Sequence, residues 1–374
     1  MPILARKPAP IQISGIGYFN TTGLKEIDYF LTDINCDPIG YNDDVFIEKL
    51  LRLNNSHFCY VAPDNMPDIV RTDDVRNRVV FGSFNNFNKI NIEVLSLWKI
   101  ILDTVPNSDL ILKSPNFDSG YVDNEFYEDC LKVGINRDQI KIRAASKDYL
   151  REYNEIDIAL DTFPYPGGGT TCEALYMGVP VITLVGERHG SRFGYSILKN
   201  IGLEEGIAFS KEEYVEKAIM LANNKVKLQE LHANLRRRME NSPLMNGELY
   251  MKNIEEQYQM IWTEYLAKQN GVNMKNSIDE KYYMSIYEYL KETDDSDCEK
   301  ILMRSYCLLK LKRYDEAERL IEKVVEVDPL YFEAYLLLAE IYKIQDKISE
   351  EQEIISTVLR WFDNKGLQNL NDKE

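Results

Sequence analysis

Apolar residues between positions 78 and 268 follow two alternating patterns. Short continuous runs rich in Val, Ile and Leu stand at 78–83, 109–113, 139–143, 157–161 and 180–185. Helix-like segments separate them, around 90–104, 123–133, 146–154, 169–177 and 190–200. Continuous short runs predict strands buried on both faces, and regular alternation with helices predicts a parallel α/β sheet. Helices at 211–222, 224–240 and 246–268 follow without further strong strands.

The flanks differ in texture. Residues 1–75 are rich in Pro, Gly, Asn and Asp, with short apolar strings such as Ile11-Gln12-Ile13 and Phe58-Cys59-Tyr60-Val61. They predict loops and short strands. Residues 275–362 predict only helices. Ser305 and Ala339 lie 34 positions apart, the tetratricopeptide period, where that repeat wants a small residue. Tyr314-Asp315-Glu316-Ala317 and then Glu326-Val327-Asp328-Pro329 fit the second helix and closing proline of one unit. A second unit from Phe332 keeps Tyr335, Leu338, Ala339 and Tyr342 in phase, then degenerates at Glu351. A preceding helix at 282–291 caps them.

Charge and cysteines narrow the class. The chain has 44 Lys and Arg against 61 Asp and Glu, a net charge of −17. That excludes sequence-independent nucleic-acid binding, which needs many cations on phosphates. Six cysteines stand singly, without metal-site or disulfide spacing. No apolar run reaches a membrane span's ~18 residues, and the polar, proline-broken start is no signal peptide. A cytoplasmic protein without metal or cofactor is expected.

Ligands of a parallel α/β sheet bind at the carboxyl ends of its strands. The most informative turn there is Asp161-Thr162-Phe163-Pro164-Tyr165-Pro166-Gly167-Gly168-Gly169-Thr170-Thr171-Cys172-Glu173. Its glycines let backbone amides approach a ligand, and a helix N-terminus attracts anions. It is a phosphate cradle, or else a structural turn capped by Thr170 or Thr171. Glu173 bonds a ribose or complements the helix dipole. Phe84-Asn85-Asn86-Phe87-Asn88-Lys89 offers a lysine for a diphosphate or for the surface. Ala144-Ala145-Ser146-Lys147 offers a flat seat for a base. His189, in Gly186-Glu187-Arg188-His189, sits at a strand end and is assigned a structural or solvated role. Gly15-Ile16-Gly17-Tyr18 is a further loop that contacts a polar ligand or merely turns the chain. The stretch 294–297, acidic but for Ser296, is assigned to a solvated linker.

Motifs in order carry a resemblance: Ala5-Arg6-Lys7-Pro8-Ala9-Pro10-Ile11-Gln12, Gly17-Tyr18, Thr21-Thr22-Gly23, Asp28-Tyr29, Thr32-Asp33, Phe84-Asn85, Lys89-Ile90, Asp161-Thr162, Gly168-Gly169-Thr170-Thr171 and Gly178-Val179-Pro180-Val181. Over about residues 2–265 the chain resembles the C-terminal catalytic part of the O-linked N-acetylglucosamine transferases and their SPINDLY-like relatives. The resemblance implies an α/β fold of GT-B type. Residues 1–75 would be the tail end of an N-terminal, acceptor-side lobe. Residues 76–268 would form a Rossmann-like donor-binding lobe, and 275–362 an all-α tetratricopeptide-like tail. It implies an inverting, metal-independent enzyme moving N-acetylglucosamine or a related hexose from UDP to Ser/Thr of an acceptor protein.

By the same resemblance Lys89 stabilises the leaving diphosphate, beside Asn86. Ala145 and Lys147 meet the uracil and ribose. Gly169, Thr170 and Thr171 hold the diphosphate, Glu173 takes the ribose ligand's place, and Ile16 and Gly17 touch the sugar. The spacing from the threonines to Glu173 is one residue shorter than in animal members, and Leu150 replaces their base-stacking histidine. No general base is assigned. The family's first lobe begins upstream of the segment matching Ile3 to Pro10, so an incomplete acceptor lobe is expected. Repeats follow the catalytic region here, and they precede it in animal members. They offer a surface for a protein partner. The rivals are a non-catalytic nucleotide-sugar-binding adaptor and a nucleotide-sugar epimerase of GT-B fold.

Overall fold

A computed structural model describes residues 2–71, 78–114, 120–271, 275–292 and 297–371. Most of the 294–297 stretch, and with it the linker assignment, lies outside the described residues. Asp297 itself caps the following helix by accepting the Lys300 amide at 3.3 Å. Two compact units are present: Met1–Asp37 with Asn42–Glu255, and Pro38–Tyr41 with Glu256–Glu374.

The first unit holds two parallel sheets. One orders β1 (Ile13–Ser14), β2 (Tyr29–Asp33) and β3 (Lys49–Leu53) side by side. The other has six strands: β4 (Val79–Ser83), β5 (Ser108–Lys113), β6 (Ile140–Arg143), β7 (Ile158–Leu160), β8 (Val181–Leu184) and β9 (Ile207–Ala208). Their order is β6-β5-β4-β7-β8-β9, all parallel. Chain direction away from the centre reverses between β4 and β7, which opens a crevice at their carboxyl ends. Five of the six strands stand where the apolar runs placed them. The sixth, β9, escaped because two residues make no pattern.

The crossover helices are α1 (Ile92–Thr104), α2 (Gly120–Lys132), α3 (Tyr149–Glu152), α4 (Gly169–Tyr176) and α5 (Phe193–Asn200). Then come α6 (Lys211–Asn223), α7 (Lys225–Glu240) and α8 (Gly247–Gln269). Asn91 starts α1 by accepting the Glu93 and Val94 amides, and Ser210 starts α6 by accepting that of Glu213. Strand residues such as Phe81, Leu110, Leu112, Ile158 and Ile182 pack on Trp98, Leu175, Leu198 and Tyr214 in one core. Trp98 donates from Nε1 to the Tyr214 hydroxyl (3.1 Å), and Tyr214 donates to the Asp161 carbonyl (2.8 Å). The core thereby fixes the backbone where β7 runs into the glycine loop.

The second unit is built of helices: α9 (Lys275–Lys291), α10 (Cys298–Lys310), α11 (Tyr314–Val327), α12 (Phe332–Ile344) and α13 (Ile348–Asn371). Consecutive helices pack on one another. Ser305 and Ala317 are fully buried at the close approach of α10 and α11, where the repeat pattern needs small side chains.

Candidate functional site

β4 ends at Ser83, and the chain turns into a single 3-10 turn, Phe87–Lys89. Asn86 caps that turn by accepting the Asn88 amide at 3.0 Å, so its side-chain oxygen serves the turn itself. Lys89 donates from Nζ to the Pro166 carbonyl at 2.9 Å and lies 4.3 Å from the Tyr165 ring centroid. Burial lowers the pKa of its ammonium, and the nearby charge of Asp161 opposes that shift. A half-buried cation is thus held across the mouth of the glycine loop.

Asp161 follows β7 and is 2% exposed. Its Oδ1 accepts the Gly167 amide (2.7 Å), the Thr162 amide (3.0 Å) and Asn85 Nδ2 (3.3 Å). Its Oδ2 accepts the Thr183 hydroxyl (2.9 Å). Burial raises the carboxyl pKa to about 6, against the Gly167 amide, the Thr183 hydroxyl and the charge of Lys89. Because a carboxylate only accepts, Asn85 must turn its NH₂ to Asp161 and its oxygen outward. That oxygen receives the Thr170 hydroxyl at 3.0 Å.

Helix α4 starts behind this network with Gly168 as N-cap and no side chain capping it. Neither Thr170 nor Thr171 takes the cap. The first helical bond runs from the Cys172 amide to the Gly168 carbonyl (3.0 Å). Among the described residues the amides of Gly169, Thr170 and Thr171 have no partner, as the first turn of a helix leaves them. Gly167 and Gly168 are sterically required, whereas a Cβ on Gly169 would face open space. A Cβ on Gly168 would stand 2.5 Å from the Phe193 ring, and one on Gly167 would stand 2.7 Å from Thr170 Oγ1.

One turn into α4, Glu173 Oε1 accepts the Tyr149 hydroxyl at 2.6 Å. Its Oε2 is buried without a partner among the described residues, and burial raises its pKa against the Tyr149 bond. Ala145 and Lys147 are exposed in the turn after β6, and Leu150 is buried below them. Ile16 and Gly17 are exposed after β1, and Gly17 has φ +107°, a conformation that favours glycine. Their loop meets the cradle through Phe19, edge-on to Tyr165 with centroids 5.7 Å apart. Lys89, Gly169, Thr170, Thr171 and Glu173 are therefore brought to one crevice. Ala145 and Lys147 stand in the exposed turn before Tyr149, whose hydroxyl reaches Glu173.

His189 is buried, not solvated. Its Nδ1 is 2.6 Å from Asp37 Oδ2 and 3.2 Å from the Thr32 hydroxyl. His57 stands beside it, ring centroids 5.2 Å apart, with Nδ1 2.6 Å from Asp33 Oδ2. Asp33 Oδ2 also accepts the His57 amide and the Ser196 hydroxyl, and its Oδ1 accepts the Asn35 and Cys36 amides. Asp33, Cys36 and His57 bring potential metal ligands within 4.8 Å of one another. Those bonds, however, occupy the carboxylate's lone pairs, so the cluster fastens β2 to α5. On α5, Phe193 then seats Gly168. The bonds made by His57, His189 and Ser196 span 24 to 163 residues in sequence, and no local spacing announces them.

The profile of glycosyl transferase family 41 matches residues 2–73 and 70–254. The chain belongs to this family. A tetratricopeptide profile matches residues 301–329. Among curated relatives, the "Probable UDP-N-acetylglucosamine–peptide N-acetylglucosaminyltransferase SPINDLY" of Solanum lycopersicum is 41% identical over 266 residues. That match covers 70% of this chain and 28% of the relative. The protein of Arabidopsis thaliana named "Probable UDP-N-acetylglucosamine–peptide N-acetylglucosaminyltransferase SEC" is 33% identical, covering 73% and 29%. The chain thus spans less than a third of these relatives' length. A solved mutant O-GlcNAc transferase of Thermobaculum terrenum superimposes with a TM-score of 0.66 at 31% identity, over 71% of this chain and 51% of that one. Among the described residues no helix is long and apolar enough to cross a membrane.

Proposed function

We propose that this family 41 chain binds a UDP-sugar in the crevice at the carboxyl ends of β4 and β7. It moves N-acetylglucosamine, or a related hexose, to Ser/Thr of a protein. The observation that carries this reading is a half-buried lysine facing a glycine loop whose helix leaves three backbone amides unpaired. In sugar transfer the diphosphate departs with added negative charge. Lys89, the Gly169, Thr170 and Thr171 amides and the α4 dipole would meet that charge as fixed electrostatics, without a metal. Each well-placed donor of this kind is worth roughly 3–4 kcal/mol in the transition state. Lys89 releases Pro166 to do so, a short exchange of one acceptor for a stronger one. Uracil and ribose lie on the Ala145–Lys147 rim and toward Glu173, with Asn86 and the Ile16–Gly17 loop bordering the site. The names of the relatives, which state UDP-N-acetylglucosamine and peptide, support the same substrates. Inversion at the sugar carbon goes with this reading, and the helical unit offers a surface for a protein partner.

Incubation with labelled UDP-N-acetylglucosamine and a cytosolic protein mixture tests this. Label is expected in protein, released by alkaline β-elimination and unaffected by EDTA. Donor binding without transfer would place the chain with non-catalytic nucleotide-sugar-binding proteins. Sugar interconversion without acceptor would place it with epimerases.

A further inference from the structure

Asp161 is the more deeply buried of the two carboxylates in the crevice, and the leaving-group chemistry makes no use of it. It lies at the centre of the site's bonding. Two strand ends, the loop and the helix all meet through it: Asn85 after β4, Thr183 on β8, the Thr162 and Gly167 amides, and Thr170 by way of Asn85. Among the described residues, Lys89 from the 3-10 turn and the Tyr214 phenol from α6 are the charged and titratable groups that act on it. The glycine loop it holds is the place where the donor-site reading puts an anion.

We infer that Asp161 is a proton-exchanging positioning residue of the donor site: its carboxylate orders Asn85, Gly167 and Thr170, and it takes up a proton when an anionic diphosphate enters the cradle. The inference rests on the donor-site reading above. A second negative charge beside a buried carboxylate favours its neutral form. The two oxygens are not equivalent in what they can tolerate. Oδ1 receives three N–H donors and has no room for a hydrogen. Oδ2 receives one hydroxyl, and a hydroxyl can reverse. The proton therefore comes from the buffer to Oδ2, which then donates to Thr183 Oγ1 while the Thr183 hydrogen turns away. All three Oδ1 bonds survive, so the cradle keeps its shape as its charge changes. With the carboxyl pKa already raised to about 6 by burial, the exchange falls near neutral pH.

Calorimetric titration with UDP-N-acetylglucosamine at pH 7, in two buffers of very different ionisation enthalpy, reads the proton directly. The nucleotide sugar is the right probe, because its phosphates are both diesters. UDP itself titrates at about 6 and would obscure the signal. Wild type is expected to take up roughly half a proton or more on binding, with uptake falling away below about pH 5. Asp161→Asn retains the Oδ1 acceptor and can donate to Thr183. It should bind with equal affinity, or up to about tenfold tighter, and with no uptake. Glu173→Gln, which removes the other carboxyl with a raised pKa in the crevice, is expected to bind more weakly, yet the uptake counted per nucleotide sugar bound should stay as in wild type, and this arm decides the matter if Asp161→Asn does not fold. Binding without uptake in wild type, uptake unchanged in Asp161→Asn, or binding by Glu173→Gln with no proton taken up per ligand bound overturns the inference and leaves the donor site standing. No binding by wild type at any pH overturns the donor site, and the inference falls with it.

Discussion

Lys89→Ala is expected to lower kcat/KM for sugar transfer by about 100-fold or more, and UDP affinity with it. The ammonium is positioned on both sides, by the Pro166 carbonyl at 2.9 Å and the Tyr165 ring at 4.3 Å. It therefore loses little freedom when a diphosphate replaces the carbonyl. Partial burial keeps water from screening it. Lys89→Arg should recover little, because a planar fork does not fit between a ring face and a carbonyl shaped for an ammonium. Steady-state kinetics across donor concentration decides this, with UDP titration as a second readout. A variant within threefold of wild type would remove Lys89 from the diphosphate site.

The second large effect is on stability. Asp33→Ala is expected to destabilise the first unit by about 3–5 kcal/mol, because it strands several buried donors at once. The wild-type carboxyl is completely buried, which alone would raise its pKa. The charge and hydrogen bonds of His57, with the Cys36 amide, outweigh that and lower it to about 2. A depressed folded-state value contributes stability above the unfolded value near 3.9, and that contribution is lost as pH falls toward 2. The pair of values corresponds to roughly 2 kcal/mol. Urea unfolding followed by circular dichroism should show wild type losing this amount between about pH 4 and pH 2. The variant, already weaker at pH 7, should lack that acid step. A variant within 1 kcal/mol of wild type at pH 7 would show that the Asp33 network holds nothing together.

How much of this was readable in the chain depends on the length of the pattern concerned. Continuous apolar runs and the glycine-rich turn are local, so five strands, the crossover helices and the α4 cradle were legible. So was Lys89, which lies six residues beyond the end of its strand. The roles of Asn85 and Asp161 were not legible, although both stand inside motifs that drew attention. Their bond joins residues 76 apart, and a lone Asn or Asp at a strand end has no periodicity to reveal it. A buried aspartate just before a glycine loop was the available signal. For His189 the choice between a structural and a solvated role stayed open for a related reason. Its partner Asp37 lies 152 residues away, so burial with a carboxylate could not be told from exposure. Phe19, two residues after Gly17, packs on Tyr165 of the glycine loop, and that contact across 146 residues had no local signal.

A structure of the chain with UDP bound tests the donor site most directly. The diphosphate oxygens are expected about 3 Å from the Gly169, Thr170 and Thr171 amides and from Lys89 Nζ, with the uracil on the Ala145–Lys147 rim. UDP seated elsewhere, or a crevice left empty at saturating UDP, would contradict the placement of the donor site at the ends of β4 and β7.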